Sequence, residues 1–259
     1  MSDSILKSKD EIELLKQSNI LVSKTLGLVS KNIKPGIKTI DLDILAEEFI
    51  RDNKGIPGFK GYKNFPNTLC VSINDEIVHG VPSNRVLMEG DIVTIDCGVI
   101  MNEFYGDSAY TFPVGKIKEE IKVFLKIVKE SLYKGIEKSV IGNRLGDIGF
   151  EIQRHNQHHG YSVIRDLCGH GVGKNLHEEP KVFNYGKKGN GIKLQEGMSI
   201  AIEPMVIMGS NYNISYEGDH VIKTKDKSIS CHFEHSIVIT KEGPDILSTF
   251  KYIEDELTR

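Results

Sequence analysis

The chain has 259 residues, 39% hydrophobic and 27% charged, the proportions of a globular protein with a sizeable core. Its 33 basic and 36 acidic side chains leave a net charge of −3, so charge gives no reason to expect nucleic acid or an anionic membrane as the main partner. No stretch has the apolar length needed to span a bilayer, and the N-terminus, MSDSILKSKDEIELLKQ, lacks a signal peptide's apolar centre. The four cysteines (Cys70, Cys97, Cys168, Cys231) form no CxxC pair, so free thiols in a reducing, cytoplasmic compartment are expected.

Ser8 and Glu11 have capping-box spacing, which predicts a helix from there to about Lys31. Pro35-Gly36 interrupts the chain, and Leu42, Leu45, Ala46 and Phe49 then recur at helical spacing until about Gly55. Three β-like runs follow: LCVSIN (69–74), DIVTIDCGV (91–99) and FYGDSAYTF (104–112). The order then repeats. Helices are predicted over 118–137 and 144–159, and strands over YSVIRDL (161–167), MSIAIEP (198–204) and HFEHSIVIT (232–240). No Pro/Gly/Ser-rich linker divides the chain, so the pattern predicts a single domain of two related halves sharing one sheet.

Asp96 ends a buried-looking run and Asp107 follows eleven residues later. Aspartate is disfavoured in strands and an unpaired buried carboxylate is costly. A turn centred on Met101-Asn102 would set Asp96 opposite Asp107, with Cβ atoms roughly 5 Å apart on one face. Such a pair needs a cation to hold both groups ionised. A turn aspartate beside an Arg- or Lys-paired core aspartate is the alternative reading. Glu203 ends one apolar strand, Glu234 opens another, and His170 lies among glycines in CGHGVG. The five form an oxygen-rich ligand set with one imidazole. Their four negative charges match two divalent cations, and carboxylates can bridge a metal pair.

Other motifs fail on spacing. GHGVGKN (169–175) departs from both the phosphate-binding and the dinucleotide-binding loops, and HEEPK (177–181) lacks a second zincin histidine. HNQHHG (155–160) places His155, His158 and His159 on one helical face, but no nearby Cys or carboxylate completes a site, so a solvated helix end is preferred to a zinc site.

NDEIVHGVP (74–82), the spaced aspartates, CGHGVGKNLHEEP (168–180), IAIEP (200–204) and FEHSIVIT (233–240) together resemble type I methionine aminopeptidases, in order, from the first helix to the last strand. The resemblance implies the pita-bread α+β fold, two pseudo-symmetric halves sharing a curved antiparallel sheet with helices outside. One peptidase domain over 1–259 is expected, with halves of about 5–115 and 116–250. On this resemblance the chain is expected to start at the first helix, without a zinc-finger extension or a type II insertion.

Carried over, the resemblance implies metal ligation by Asp96, Asp107, His170, Glu203 and Glu234, with Asp107 and Glu234 bridging. His79 and His177 match substrate-contacting histidines, and Tyr62, Phe65 and Cys70 match pocket positions. Two positions depart from the family pattern: Leu176, where phenylalanine is usual, and His220, where many bacterial members have tryptophan. Both changes are expected to enlarge or reshape the pocket. The implied activity is removal of the initiator methionine from nascent chains with a small second residue. A hydroxide bridging two cations would attack, Glu203 would relay its proton, and His177 or His79 would stabilise the oxyanion with the metals. The substrate's α-amino group would bind at the metal centre. Mn²⁺, Fe²⁺, Co²⁺ and Zn²⁺ all suit such ligands. A monomer is expected; ribosome association suits the substrate, but no ribosome-binding element is visible. The rival readings are an Xaa-Pro aminopeptidase or prolidase of the same fold, and a non-enzymatic binding module.

Overall fold

A computed structural model describes residues 5–209 and 213–257. Helix α1 (Lys9–Ser30) starts at the expected cap: Glu11 N–H donates to Ser8 Oγ, and Ser8 N–H donates back to the Glu11 carboxylate. Helix α2 (Thr39–Asp52) follows, then strands β1 (Ile56–Pro57), β2 (Leu69–Ile73), β3 (Glu76–Val78), β4 (Ile92–Met101) and β5 (Phe104–Pro113). Next come α3 (Glu119–Glu137), α4 (Leu145–His158), β6 (Ser162–Val163), β7 (Gly169–Gly171) and β8 (Glu178–Val182). The chain ends with β9 (Ser199–Ile202), β10 (Met205–Ile207), β11 (Ile214–Glu217), β12 (Val221–Thr224), β13 (Ser230–His232), β14 (His235–Thr240), β15 (Gly243–Ile246) and α5 (Lys251–Leu257).

Among the described residues every ladder is antiparallel. Rather than one unbroken sheet, the ladders form four groups: β4 flanked by β5 on one side and by β2 and β1 on the other; β13-β10-β6; β11-β12-β3; and β15-β14-β9-β7-β8. The groups are stitched where the ladder lapses. Glu234 N–H donates to Ala109 O (2.9 Å), Ser230 N–H to Asn74 O (2.8 Å), and Thr111 Oγ1 to His232 O (2.8 Å). One cluster of buried apolar side chains runs from Ile5 to Ile253 and draws on both ends of the chain.

Helix α1 lies directly on β5, at a spacing set by Gly106. A Cβ there would come within 2.5 Å of the Ser18 backbone, so any side chain would push the helix off the strand. Two expected strands are corrected. The run 161–167 keeps only Ser162–Val163 in a ladder, and 232–240 divides at Phe233-Glu234, where the backbone leaves β13's ladder for Ala109. Among the described residues no helix is long and apolar enough to cross a membrane.

Candidate metal centre and adjoining pocket

The β4–β5 hairpin turns at Asn102-Glu103, both with positive φ (52° and 67°), as a type I′ two-residue turn requires. The turn is thus one residue later than the sequence suggests, and opposed residues sum to 205. Asp96 faces Ala109, and Asp107 faces Gly98. The two aspartates are diagonal neighbours instead of direct partners, but a shift of two preserves the alternation of faces. Both side chains open into the same cavity of about 290 Å³.

The second half of the chain brings the remaining acids. Glu203 follows β9, its carbonyl held by Asn184 Nδ2 at 2.9 Å. Glu234 lies between β13 and β14, its carbonyl held by Ser108 Oγ at 2.7 Å. His170 in β7 contributes Nε2, 3.6 Å from Asp107 Oδ2 and 3.4 Å from Glu203 Oε1. Its Nδ1 faces Gly171 O at 3.0 Å. A carbonyl only accepts, so Nδ1 carries the proton and Nε2 presents its lone pair to the acids.

Burial, followed by the neighbouring acids, raises the carboxyls of Asp107 and Glu234 well above their ordinary range; burial and Asp96 do the same to Glu203. Burial raises Asp96 to about 7. No Lys or Arg pairs with any of the four among the described residues, and Asp96 Oδ1, Asp107 Oδ1 and Glu234 Oε1 are buried without a hydrogen-bond partner. That rules out the Arg- or Lys-paired alternative. Orphaned carboxylate oxygens converging with an imidazole lone pair are the donor set of a divalent cation. Among the described residues, Asp107, His170 and Glu234 form the one group of three whose ligand atoms all lie within 4.8 Å of one another. The residues therefore fit a metal.

One buried neighbour has no precedent in the sequence reading. His232, 1% exposed, places Nε2 3.6 Å from Glu203 Oε2 and 3.7 Å from Glu234 Oε2. The alternation in HFEH was its only signal: His232 and Glu234 are two apart and share a face, while Phe233 packs against Tyr110 at 5.0 Å.

Beside the acids the cavity becomes apolar. Phe59, Phe65, Cys70 and Leu176 form a buried cluster with Tyr62, Val81 and Tyr105 packed against it. Phe59 was not anticipated. Tyr62 OH lies 2.9 Å from His177 Nδ1, and the two rings stack with centroids 5.3 Å apart. His220, in the turn between β11 and β12, meets the Phe65 ring edge-on at 5.3 Å. His79 lines the same cavity, with a positive φ of 59°. Removal from water lowers His79 to about 4 and His177 to about 3, with His220 and His170 respectively adding to the effect. Both are therefore neutral at pH 7.

The loop carrying Leu176 and His177 is fastened from behind. Glu178 binds Lys7 Nζ at 2.6 Å with both side chains 5–7% exposed, and accepts Asn175 N–H at 3.1 Å. The histidine run at the end of α4 lies apart from the site. His158 and His159 are exposed, as a helix end suggests, but α3 supplies the carboxylate that the sequence reading lacked: Glu130 is 3.4 Å from His155 Nε2.

The pattern of metallopeptidase family M24 matches residues 13–241. A methionine aminopeptidase of Clostridium acetobutylicum is 49% identical over 245 residues, covering 94% of this chain and 98% of that protein. The crystal structure of methionine aminopeptidase from Rickettsia prowazekii superposes with a TM-score of 0.92 at 36% identity, covering 94% of this chain and 99% of that one. A prolidase from Pyrococcus furiosus shares the fold, with a TM-score of 0.77 at 23% identity, and this chain spans 66% of it. With the family pattern matched across both sets of acids, the chain belongs to metallopeptidase family M24.

Proposed function

We propose that this protein is a methionine aminopeptidase that removes the N-terminal methionine of nascent polypeptides when the second residue is small. The observation that carries the reading is an apolar pocket of Phe59, Phe65, Cys70 and Leu176 opening onto the cluster of four acids and His170 in one cavity. An unbranched, polarizable thioether suits such a pocket, and the acids mark where the scissile bond would lie.

Asp96, Asp107, His170, Glu203 and Glu234 would hold the metal, and four carboxylates call for two divalent ions, drawn from Mn²⁺, Fe²⁺, Co²⁺ or Zn²⁺. Bound there, the ions supply Lewis-acid polarisation and a more acidic water. The chain's own groups do the rest. Glu203 takes a proton and hands it on toward the departing amine. His177 and His79, neutral at pH 7, donate toward the oxygen that gains charge at the attacked carbonyl. The apolar wall excludes water from the side-chain pocket.

The test is a peptidase assay with added Mn²⁺, Fe²⁺ or Co²⁺ on Met-Gly-Met-Met and on Xaa-Pro peptides. Free methionine from the first is expected. Release of residues preceding proline, with no methionine, would move the protein to the Xaa-Pro enzymes that share its fold.

A further inference from the structure

His232 has no role in the scheme above, yet its surroundings are hard to explain as packing. It is 1% exposed, and neither ring nitrogen has a hydrogen-bond partner. A buried polar group without a partner is costly, and native proteins rarely keep one without a use. Its backbone is fixed from two sides. The N–H donates to Thr111 Oγ1 at 3.0 Å, Thr111 Oγ1 donates to its carbonyl at 2.8 Å, and His232 pairs with Met205 in the β13–β10 ladder. Met205 is two residues beyond Glu203, and His232 two residues before Glu234. The imidazole is thus attached to both strand ends that carry these acids.

Nε2 is 3.6 Å from Glu203 Oε2 and 3.7 Å from Glu234 Oε2. Glu203's other oxygen, Oε1, is the one that faces His170 Nε2. The carboxyl of Glu203 therefore lies between two imidazoles that meet it differently. His170 offers a lone pair because its Nδ1 proton is committed to Gly171 O. His232 has no such commitment. With metal bound both carboxylates are ionised and only accept hydrogen bonds, so in that state the proton of a neutral His232 ring belongs on Nε2, where both acids can accept it. Nδ1 is then left as a buried acceptor, the less costly kind of orphan.

We propose that His232 is a positioning residue that donates its Nε2–H to the outer oxygens of Glu203 and Glu234 and holds both carboxylates in the pose that binds metal. The inference rests on the metallopeptidase reading. Its reach is short: closing 3.6 Å to hydrogen-bond length takes a few tenths of an ångström. An outer-sphere donor of this kind sets the orientation and basicity of a ligand, and losing one commonly costs about 10–100-fold in metal affinity or activity.

The experiment compares His232→Gln, whose amide can still donate, with His232→Leu, which cannot. Metal affinity is read by competition with a chelator and by metal content after dialysis, and kcat/KM is measured separately on Met-Gly-Met-Met. His232→Leu is expected to lose about 10–100-fold in affinity, and His232→Gln to recover most of it. The melting temperature without metal reports folding, so a variant that has merely unfolded is recognised and its affinity set aside in favour of the Gln variant. Wild-type affinity in a folded His232→Leu would overturn the proposal. So would equal loss in both folded variants together with one fewer nitrogen around the metal by X-ray absorption, which would make His232 a direct ligand. A wild type that binds metal but releases no methionine would sink the activity reading alone, since the affinity comparison stands without turnover.

Discussion

Two sets of buried carboxylates in this molecule are treated in opposite ways. Asp43, 3% exposed on α2, accepts Thr68 N–H, Leu69 N–H and Asn67 Nδ2. Glu76, 8% exposed, accepts Ile73 N–H and pairs with Arg85 at 2.7 Å and Lys223 at 3.4 Å. Every demand of these two is met within the protein. Asp96, Asp107 and Glu234 each keep a buried oxygen with no partner. Burial alone does not separate the two sets; the unfilled hydrogen-bonding capacity does.

That contrast can be broken most directly by exchanging a group from each set. Asp107→Asn is expected to lower kcat/KM about a thousand-fold, from the loss of several kcal/mol of charge stabilisation. The same change relieves repulsion with Asp96 and Glu203, so the metal-free variant should melt no lower than the wild type. Steady-state kinetics and melting of the chelated proteins check both parts, and full activity in the variant would exclude Asp107 as a ligand.

The pH dependence sharpens the comparison. Asp96, Asp107, Glu203 and Glu234 have raised carboxyl pKa values in the metal-free protein, with Asp96 near 7. The folded state therefore holds more protons than the unfolded one between the ordinary carboxylate range and about pH 7 for Asp96. Over that window these groups favour folding as pH falls and oppose it as pH rises. A cation must displace those protons. The rise in melting temperature on adding Mn²⁺ should accordingly be large at pH 8 and shrink toward pH 5. A shift independent of pH would show that the ion binds elsewhere.

Asp43→Ala tests the structural set. Leaving Thr68 and Leu69 N–H buried without an acceptor is expected to cost about 3 kcal/mol of stability, seen in denaturant unfolding, with metal content unchanged. The smallest effect is expected in the pocket. Leu176→Phe fills space beside Phe59 and Phe65, and volume changes of this kind shift substrate ratios by about tenfold. The ratio of kcat/KM for methionine over leucine peptides measures it.

Which acids meet in one cavity was more legible in the sequence than how the strands pair. Four long helices were legible because an amphipathic period is local, and Ser8 with Glu11 marks the first of them without tertiary information. The β4–β5 register was misjudged by two residues because Asn102 and Glu103, neither of them glycine, form the turn. The aspartates still share a face because two is the period of a strand. YSVIRDL reads as a strand, but only Ser162 and Val163 find a partner, in β10 forty-odd residues away. Such pairing is non-local and leaves no local mark. His232 was hidden for the same reason. Nothing in its neighbours shows that Glu203, 29 positions earlier, ends 3.6 Å from its ring.

The hairpin that carries Asp96 and Asp107 also limits how this enzyme can change length. Adding one residue to each arm merely moves the bend outward, and the two acids keep their shared side. An odd insertion on one arm alone would turn an acid toward the helix-covered flank unless a bulge absorbed it. Tolerated length variation in the arms between residues 96 and 107, outside the turn at Asn102-Glu103, should therefore come in even steps.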